Sequence, residues 1–177
     1  MKLELKKISG SEGIVADSVY QAAMLLEGRD LIMAASIDPA YADGQLLHEK
    51  YETPLEWELN CIVLEGRRGD LSRYAAVLLP YGKKVSTGSI MRQLLDVKKV
   101  SFADLGYVVE KTGMEFGSIT PLGLPEDWKI LIDAKVFEQE TVIIGGGKVS
   151  AKVVLPSAVL KQLRNVVVSD GLTKEQI

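Results

Sequence analysis

The sequence predicts a mixed α/β fold (α+β) in which helices pack around a mixed sheet. Three observations lead there. Short apolar runs bounded by turn residues recur along the chain, among them "NCIVLEG" (60–66), "TVIIG" (141–145) and "AKVVL" (151–155). Stretches with apolar residues at helical spacing are interleaved with these runs, but no regular βαβ period appears. At least one pair of apolar runs is joined closely enough to be a hairpin.

The elements follow in order. "ADSVYQAAMLLEG" (16–28) spaces Val19, Ala22, Ala23 and Leu26 as a helix, with Asp17 or Ser18 as candidate N-cap and Gly28 as the stop. "DLIMAASI" (30–37) reads as a buried strand. After the turn signal Asp38-Pro39, "ADGQLLHEKY" (42–51) reads as a helix opened by Asp43. "TPLE" (53–56) has the form of a capping box, Thr53 capping and Glu56 reaching back, so a short helical turn is expected.

"NCIVLEG" and "LSRYAAVLL" (71–79) flank "RRGD", which predicts an antiparallel hairpin turning at Gly69-Asp70. "STGSIMRQLLD" (86–96) predicts a helix with Ile90, Met91, Leu94 and Leu95 inward. "KKVSF" (98–102) reads as a strand, and "ADLGYVVEKTG" (103–113) as a helix closed by Gly113, with Leu105, Val108, Val109 and Thr112 on one face. The strands "KILID" (129–133), "TVIIG" and "AKVVL" follow, the last two joined by the turn "GGGK". A final helix is expected from "PSAVL" (156–160), and a loose C-terminus beyond Ser169. With no repeat and no linker in its 177 residues, the chain reads as a single domain over 1–177.

Composition excludes several classes. Hydrophobic residues make up 47% and charged residues 25%, which is not a disordered chain. A net charge of −3 argues against coating nucleic acid by bulk electrostatics, although local basic patches are compatible with it. The longest apolar run, Tyr74 to Leu79, is far short of the ~20 residues that span a bilayer. The single Cys61 cannot form an intramolecular disulfide, and "MKLELKKISG" lacks the apolar centre of a secretory signal, so a cytoplasmic protein is expected.

Few residues carry obvious chemistry. The single His48 rules out a histidine-rich metal site and reads as a surface histidine beside Glu49. Cys61, inside an apolar strand, reads as an inert small hydrophobe. "GGGKVS" (145–150) departs from the phosphate-binding Walker pattern, since Val149 follows Lys148, and reads as a turn. The pairs Arg67-Arg68, Lys83-Lys84 and Lys98-Lys99 are solvated strand ends or, in the functional reading, an electrostatic guide for a nucleic-acid end. The richest stretch is "GMEFGSITPLGLPEDWKILID" (113–133). Its glycines, hydroxyls and prolines make a rigid rim with exposed backbone N–H groups, or a purely structural turn.

Taken together, "KKVSFA" (98–103), "TGMEFGSITPLGL" (112–124), "ILID" (130–133) and "VIIGGGK" (142–148) resemble the YbaK family of aminoacyl-tRNA deacylases, related to the editing domain of prolyl-tRNA synthetases. The match is best from about Ile62 to Leu163. The resemblance implies a mixed, largely antiparallel, partly barrel-like sheet surrounded by helices. It also implies hydrolysis of the ester between a wrong amino acid and the 3′ end of a tRNA. Gly117-Ser118-Ile119-Thr120-Pro121 corresponds to the family's GxxxP loop, which in relatives lines the pocket for the aminoacyl end.

On this resemblance Asn60 is expected to orient the ester or the terminal ribose, and the N–H groups of Gly117 and Ser118 to polarise the carbonyl. Cys61, Thr120, Pro121 and Asp133 are expected around the substrate, and Gly145, Gly146 and Lys148 at the 3′ end. Three positions depart from the family pattern: Asn60, or Cys61 if the gap is placed differently, stands where relatives carry a lysine, Gly145 replaces a common serine, and Lys152 an acidic residue. Tyr41, Leu47 and Tyr51 are candidates for shaping the pocket. The implied partners are the aminoacyl-tRNA 3′ end and a synthetase, with no membrane, metal or organic cofactor. The rival expectation is a weakened or inactive binding module for aminoacyl-tRNA, an amino acid or a protein.

Overall fold

A computed structural model describes residues 1–174. In chain order its strands are β1 (Lys6–Lys7), β2 (Met33–Ser36), β3 (Leu59–Arg68), β4 (Leu71–Pro80), β5 (Lys84–Val85), β6 (Lys99–Phe102), β7 (Lys129–Asp133), β8 (Thr141–Gly145), β9 (Ala151–Pro156), β10 (Val166–Ser169) and β11 (Thr173–Lys174). The α-helices are α1 (Asp17–Met24), α2 (Gly44–Tyr51), α3 (Ser89–Leu95) and α4 (Leu105–Thr112). Among the described residues the strands form a four-stranded sheet, β1-β2-β9-β8, a five-stranded sheet, β10-β7-β4-β3-β6, and a small β11-β5 ribbon. Pairing is antiparallel except where β7 lies parallel to β4 and β10. The sheet system is therefore mixed, and it does not close into a barrel.

The two large sheets pack face to face. Ala34, Val142, Ile144, Ala151, Val153 and Leu155 of one sheet share a buried cluster with Leu59, Leu78, Ile130 and Ile132 of the other, sealed by Val19 and Ala23 of α1. Alternation sends the intervening residues to the outer faces. Ile143 and Val154 meet Leu47 of α2, while Val77 and Leu131 meet Met91 and Leu95 of α3. Both faces of each sheet are thus covered, which is why these strands read as unbroken apolar runs.

Several local expectations hold. The β3–β4 hairpin pairs Leu59 with Pro80 through Arg68 with Leu71, so it turns at Gly69-Asp70. Asp43 caps α2 through its Oδ1, and Gly113 ends α4 in the left-handed conformation.

Others are corrected. The N-cap of α1 is Ala16, with Asp17 already in the first turn. Thr53 does not cap a helix: its hydroxyl donates to Glu58 Oε1 at 3.3 Å, Glu56 is exposed, and Leu55–Trp57 is only a 3-10 turn. Ile90 and Leu105 face solvent, leaving Met91 with Leu95 and Val108 with Thr112 as the buried pairs of their helices. Ser157–Gln162 is a 3-10 turn instead of an α-helix, because Ser157 N–H is already held by the Glu140 carbonyl and the chain must turn at once into β10. The segment beyond Ser169 is docked as far as it is described: Leu172 is fully buried, and β11 pairs with β5. The rest of that expected loose end, 175–177, lies outside the described residues.

Candidate functional site

Just before β3, Glu58 forms a parallel bridge with Ile143 of β8. Beyond it β3 runs on to Arg68 whereas β8 stops at Gly145, so the sheets part and leave a cavity of about 560 Å³. Glu58 and the start of β3, Leu59 to Val63, supply one wall. Opposite lie Gly145 and Lys152, with Phe116, Gly117 and Ile119 of the loop after α4. Asp43 and Gly44 at the start of α2 close one end with Tyr81, and Phe102, Ala103, Leu105 and Val108 close the other. The volume is that of an ordinary small-molecule pocket, and it is polar at the Glu58 end and apolar at the Val63 end.

Asn60, Cys61, Gly117 and Gly145, expected from sequence to surround the substrate, share this cavity. Asn60 is half-buried, and its side-chain amide makes no hydrogen bond to any described residue. The backbone N–H of Gly117 is likewise without a described acceptor, whereas that of Ser118 donates to the Glu115 carbonyl at 3.0 Å. Of the two expected donors, only Gly117 is free. Cys61 is a wall residue whose thiol burial pushes up to about 12, so at neutral pH it is protonated and not a nucleophile. Gly145 must lack a side chain, since a Cβ there would stand 2.8 Å from the Ser118 carbonyl oxygen.

The remaining expected residues lie off the cavity wall and build its support. Ser118 Oγ donates to the Lys148 carbonyl at 2.8 Å, Gly147 N–H to the Ser118 carbonyl at 3.1 Å, and Val149 N–H to Glu115 Oε2 at 2.7 Å. These bonds strap the 114–118 loop to the glycine turn. Lys148 Nζ donates to the Gly13 carbonyl at 2.8 Å, so its charge is turned away from the cavity. Gly146 is buried, its carbonyl accepting from Ala16 N–H at 2.9 Å. Thr120, Pro121 and Asp133 are buried behind the loop. Asp133 Oδ1 accepts from Lys135 N–H at 3.0 Å, and among the described residues Asp133 Oδ2 and Thr120 Oγ1 have no partner. Tyr41, Leu47 and Tyr51 do not line the cavity. Tyr51 hydroxyl accepts from Asp38 N–H, and Leu47 packs under the four-stranded sheet. His48 is an exposed residue whose Nδ1–H donates to the Thr53 carbonyl at 2.6 Å.

The charged groups of the cavity were not expected. Glu58 and Lys152 are nearly inaccessible to solvent and lie 3.8 Å apart at its polar end. Burial pushes Glu58 up to about 7 against the opposing pull of Lys152 and the Thr53 hydroxyl. Burial also pulls Lys152 down, only partly offset by Glu58 and Asp43. Asp43 is itself held by the Tyr81 hydroxyl at 3.0 Å. Asn60 leaves the head of β3 neutral, and Lys152 on β9 brings the cavity's positive charge from another strand. Among the described residues, no group of three His, Cys, Asp or Glu side chains is placed to hold a metal ion.

Residues 38–163, well over half of the chain, match the aminoacyl-tRNA editing domain family. The chain belongs to that family. Membership carries the family's general role, editing of aminoacyl-tRNA in a deacylase-like manner, and the matched region starts well before Ile62. Solved structures share the fold of this editing domain. A crystal structure of a candidate trans-editing enzyme for prolyl-tRNA synthetase aligns with a TM-score of 0.72 at 17% identity, covering 92% of this chain and 99% of the other. A scaffold from work on epitope backbone grafting by computational design aligns with a TM-score of 0.74 at 18% identity, covering 92% and 100%. No helix of the editing domain, among the described residues, is long and apolar enough to cross a membrane.

Proposed function

We propose that the protein is a trans-acting deacylase that hydrolyses the ester of a mischarged small amino acid on tRNA. The observation that carries this reading is the cavity itself, bounded on one side by the head of β3 and on the other by the Gly117 loop. The free Gly117 N–H is positioned to polarise the ester carbonyl, and the unpaired Asn60 amide to hold the carbonyl or the terminal ribose. Lys152 contributes positive potential at the polar end, where negative charge develops on the carbonyl oxygen as water adds to it. The cavity's volume, about 560 Å³, accommodates a small amino acid esterified to the terminal ribose. A synthetase pocket separates near-isosteric amino acids by only about a hundredfold, so a second pocket that admits the error supplies the missing discrimination.

The test is a deacylation assay with alanyl-, seryl- and cysteinyl-tRNA prepared on noncognate tRNAs, run beside an active member of the family. Release of at least one amino acid faster than the uncatalysed rate is expected, and no acceleration for any pair would end the enzymatic reading. One observation favours a binding module instead: Asn60 carries no charge, and Lys152 is already paired with Glu58. Calorimetry with a nonhydrolysable aminoacyl-adenosine would then show binding while the deacylation assay shows no turnover.

A further inference from the structure

The cavity mouth carries exposed apolar side chains. Phe102 and Phe116 line the cavity yet are 65% and 69% exposed, and Leu105 between them in sequence is also exposed. Side chains of this size on the rim of a pocket mark a contact surface. Phe102 is the last residue of β6, the edge strand of the five-stranded sheet.

Along β6, away from the mouth, lies a second groove of about 600 Å³ lined by Arg67, Arg92, Lys98 and Lys99. Its one acidic residue, Glu65, is spent on Arg67 at 2.9 Å, and Asp96 nearby is held by Arg68 and Arg73. Arg92, Lys98 and Lys99 are exposed and form no ion pair with any described residue. In a chain of net charge −3 these unmatched cations are a local asymmetry. Pairing of Leu64 with Phe102 and of Arg67 with Lys99 puts aromatic rim and basic groove on the same strand, about 10 Å apart at ~3.3 Å per residue; the two side chains point to opposite faces, so what they share is the unpaired edge of β6.

From this continuity we infer that the β6 edge is a track for a single-stranded RNA 3′ end, Phe102 and Phe116 stacking on the terminal base at the mouth while Arg92, Lys98 and Lys99 take backbone phosphates upstream. The inference rests on the deacylase reading for the identity of the strand. It adds where the strand runs and which side chains hold it. Stacking on exposed aromatics tolerates any base, and free cations bind phosphate without reading sequence. The surface therefore serves tRNAs in general, and selection for the error is left to the cavity.

The experiment measures binding of an uncharged RNA hairpin ending in a single-stranded CCA, and of a phosphate-free aminoacyl-adenosine amide, at several salt concentrations. The protein variants are Arg92→Glu/Lys98→Glu/Lys99→Glu, the milder Lys98→Gln/Lys99→Gln, and Phe102→Ala, with thermal melts confirming folding. Three lost phosphate contacts at about 0.7 each should lower the slope of log Kd against log salt by about two in the triple variant. Its RNA-to-nucleoside affinity ratio should fall about tenfold or more, with a smaller fall in the milder variant. Phe102→Ala should weaken the RNA about tenfold. An unchanged slope and ratio in both charge variants, or no measurable RNA binding by the wild type, overturns the track. Catalysis is a separate readout: hydrolysis with an unaltered slope defeats the track alone, and RNA binding along it without hydrolysis defeats the deacylase reading alone.

Discussion

Replacing Glu58 with Gln should change how stability depends on pH. Glu58 is buried at the polar end of the cavity, faced by Lys152, Asp43, Thr53 and Tyr81. Its folded value of about 7 against 4.5 when unfolded means that between these limits the native chain keeps a proton that the unfolded chain releases. Glu58 thus contributes stability that is fully present below pH 4.5 and is lost as pH rises through about 7. At 1.36 kcal/mol per unit the loss is at most about 3 kcal/mol. Glu58→Gln removes that titration, but it also removes the attraction to Lys152, so the net gain of the variant at pH 8 should be smaller. Lys152, pulled down by burial, acts in the opposite sense and at higher pH, adding stability as pH rises towards its unfolded value. Urea unfolding of both proteins from pH 4.5 to 8 gives the comparison, with m-values checked for constancy. The wild type should lose stability relative to the variant across this range and then level off. Parallel curves would refute the assignment of a raised Glu58.

Three more outcomes are expected. Gly123→Ala should destabilise by about 3 kcal/mol or more in urea unfolding, because Gly123 sits at φ +80° and a Cβ would collide with the Ser18 carbonyl oxygen. Cys61 should resist a neutral-pH thiol reagent in the folded protein and react on addition of denaturant, since burial keeps it protonated. Asn60→Ala should lower kcat/KM for deacylation about tenfold, the equivalent of one net hydrogen bond, with little change in melting temperature because no described residue bonds to that amide.

What was readable in advance followed from local chemistry. The β3–β4 hairpin announced itself through two apolar runs around a Gly-Asp turn, α2 through Asp43, and the end of α4 through Gly113. The meeting of Asn60 and Gly117 was legible only through the family resemblance, because no local rule brings β3 to that loop. Long-range competition explains the misses. Thr53 looked like a cap, but its hydroxyl is claimed by Glu58. The strand β10 has no counterpart among the sequence expectations: "NVVVS" is a short apolar run, and its parallel pairing with the distant β7 makes it a strand. Lys148 matched a motif, yet its ammonium is held by the Gly13 carbonyl, while the lysine that does enter the cavity, Lys152, sits in a strand that otherwise reads as wholly apolar. Its partner Glu58 lies just before β3, far away in sequence, and nothing in either neighbourhood signals the pair.

The most direct test titrates a nonhydrolysable 3′-aminoacyl-adenosine amide into isotopically labelled protein and follows backbone amide resonances. Shifts concentrated at Asn60, Gly117 and Gly145, saturating together with a single Kd, are the predicted result. Saturable shifts that cluster elsewhere and leave those three amides unmoved would contradict the claim that this cavity receives the esterified amino acid.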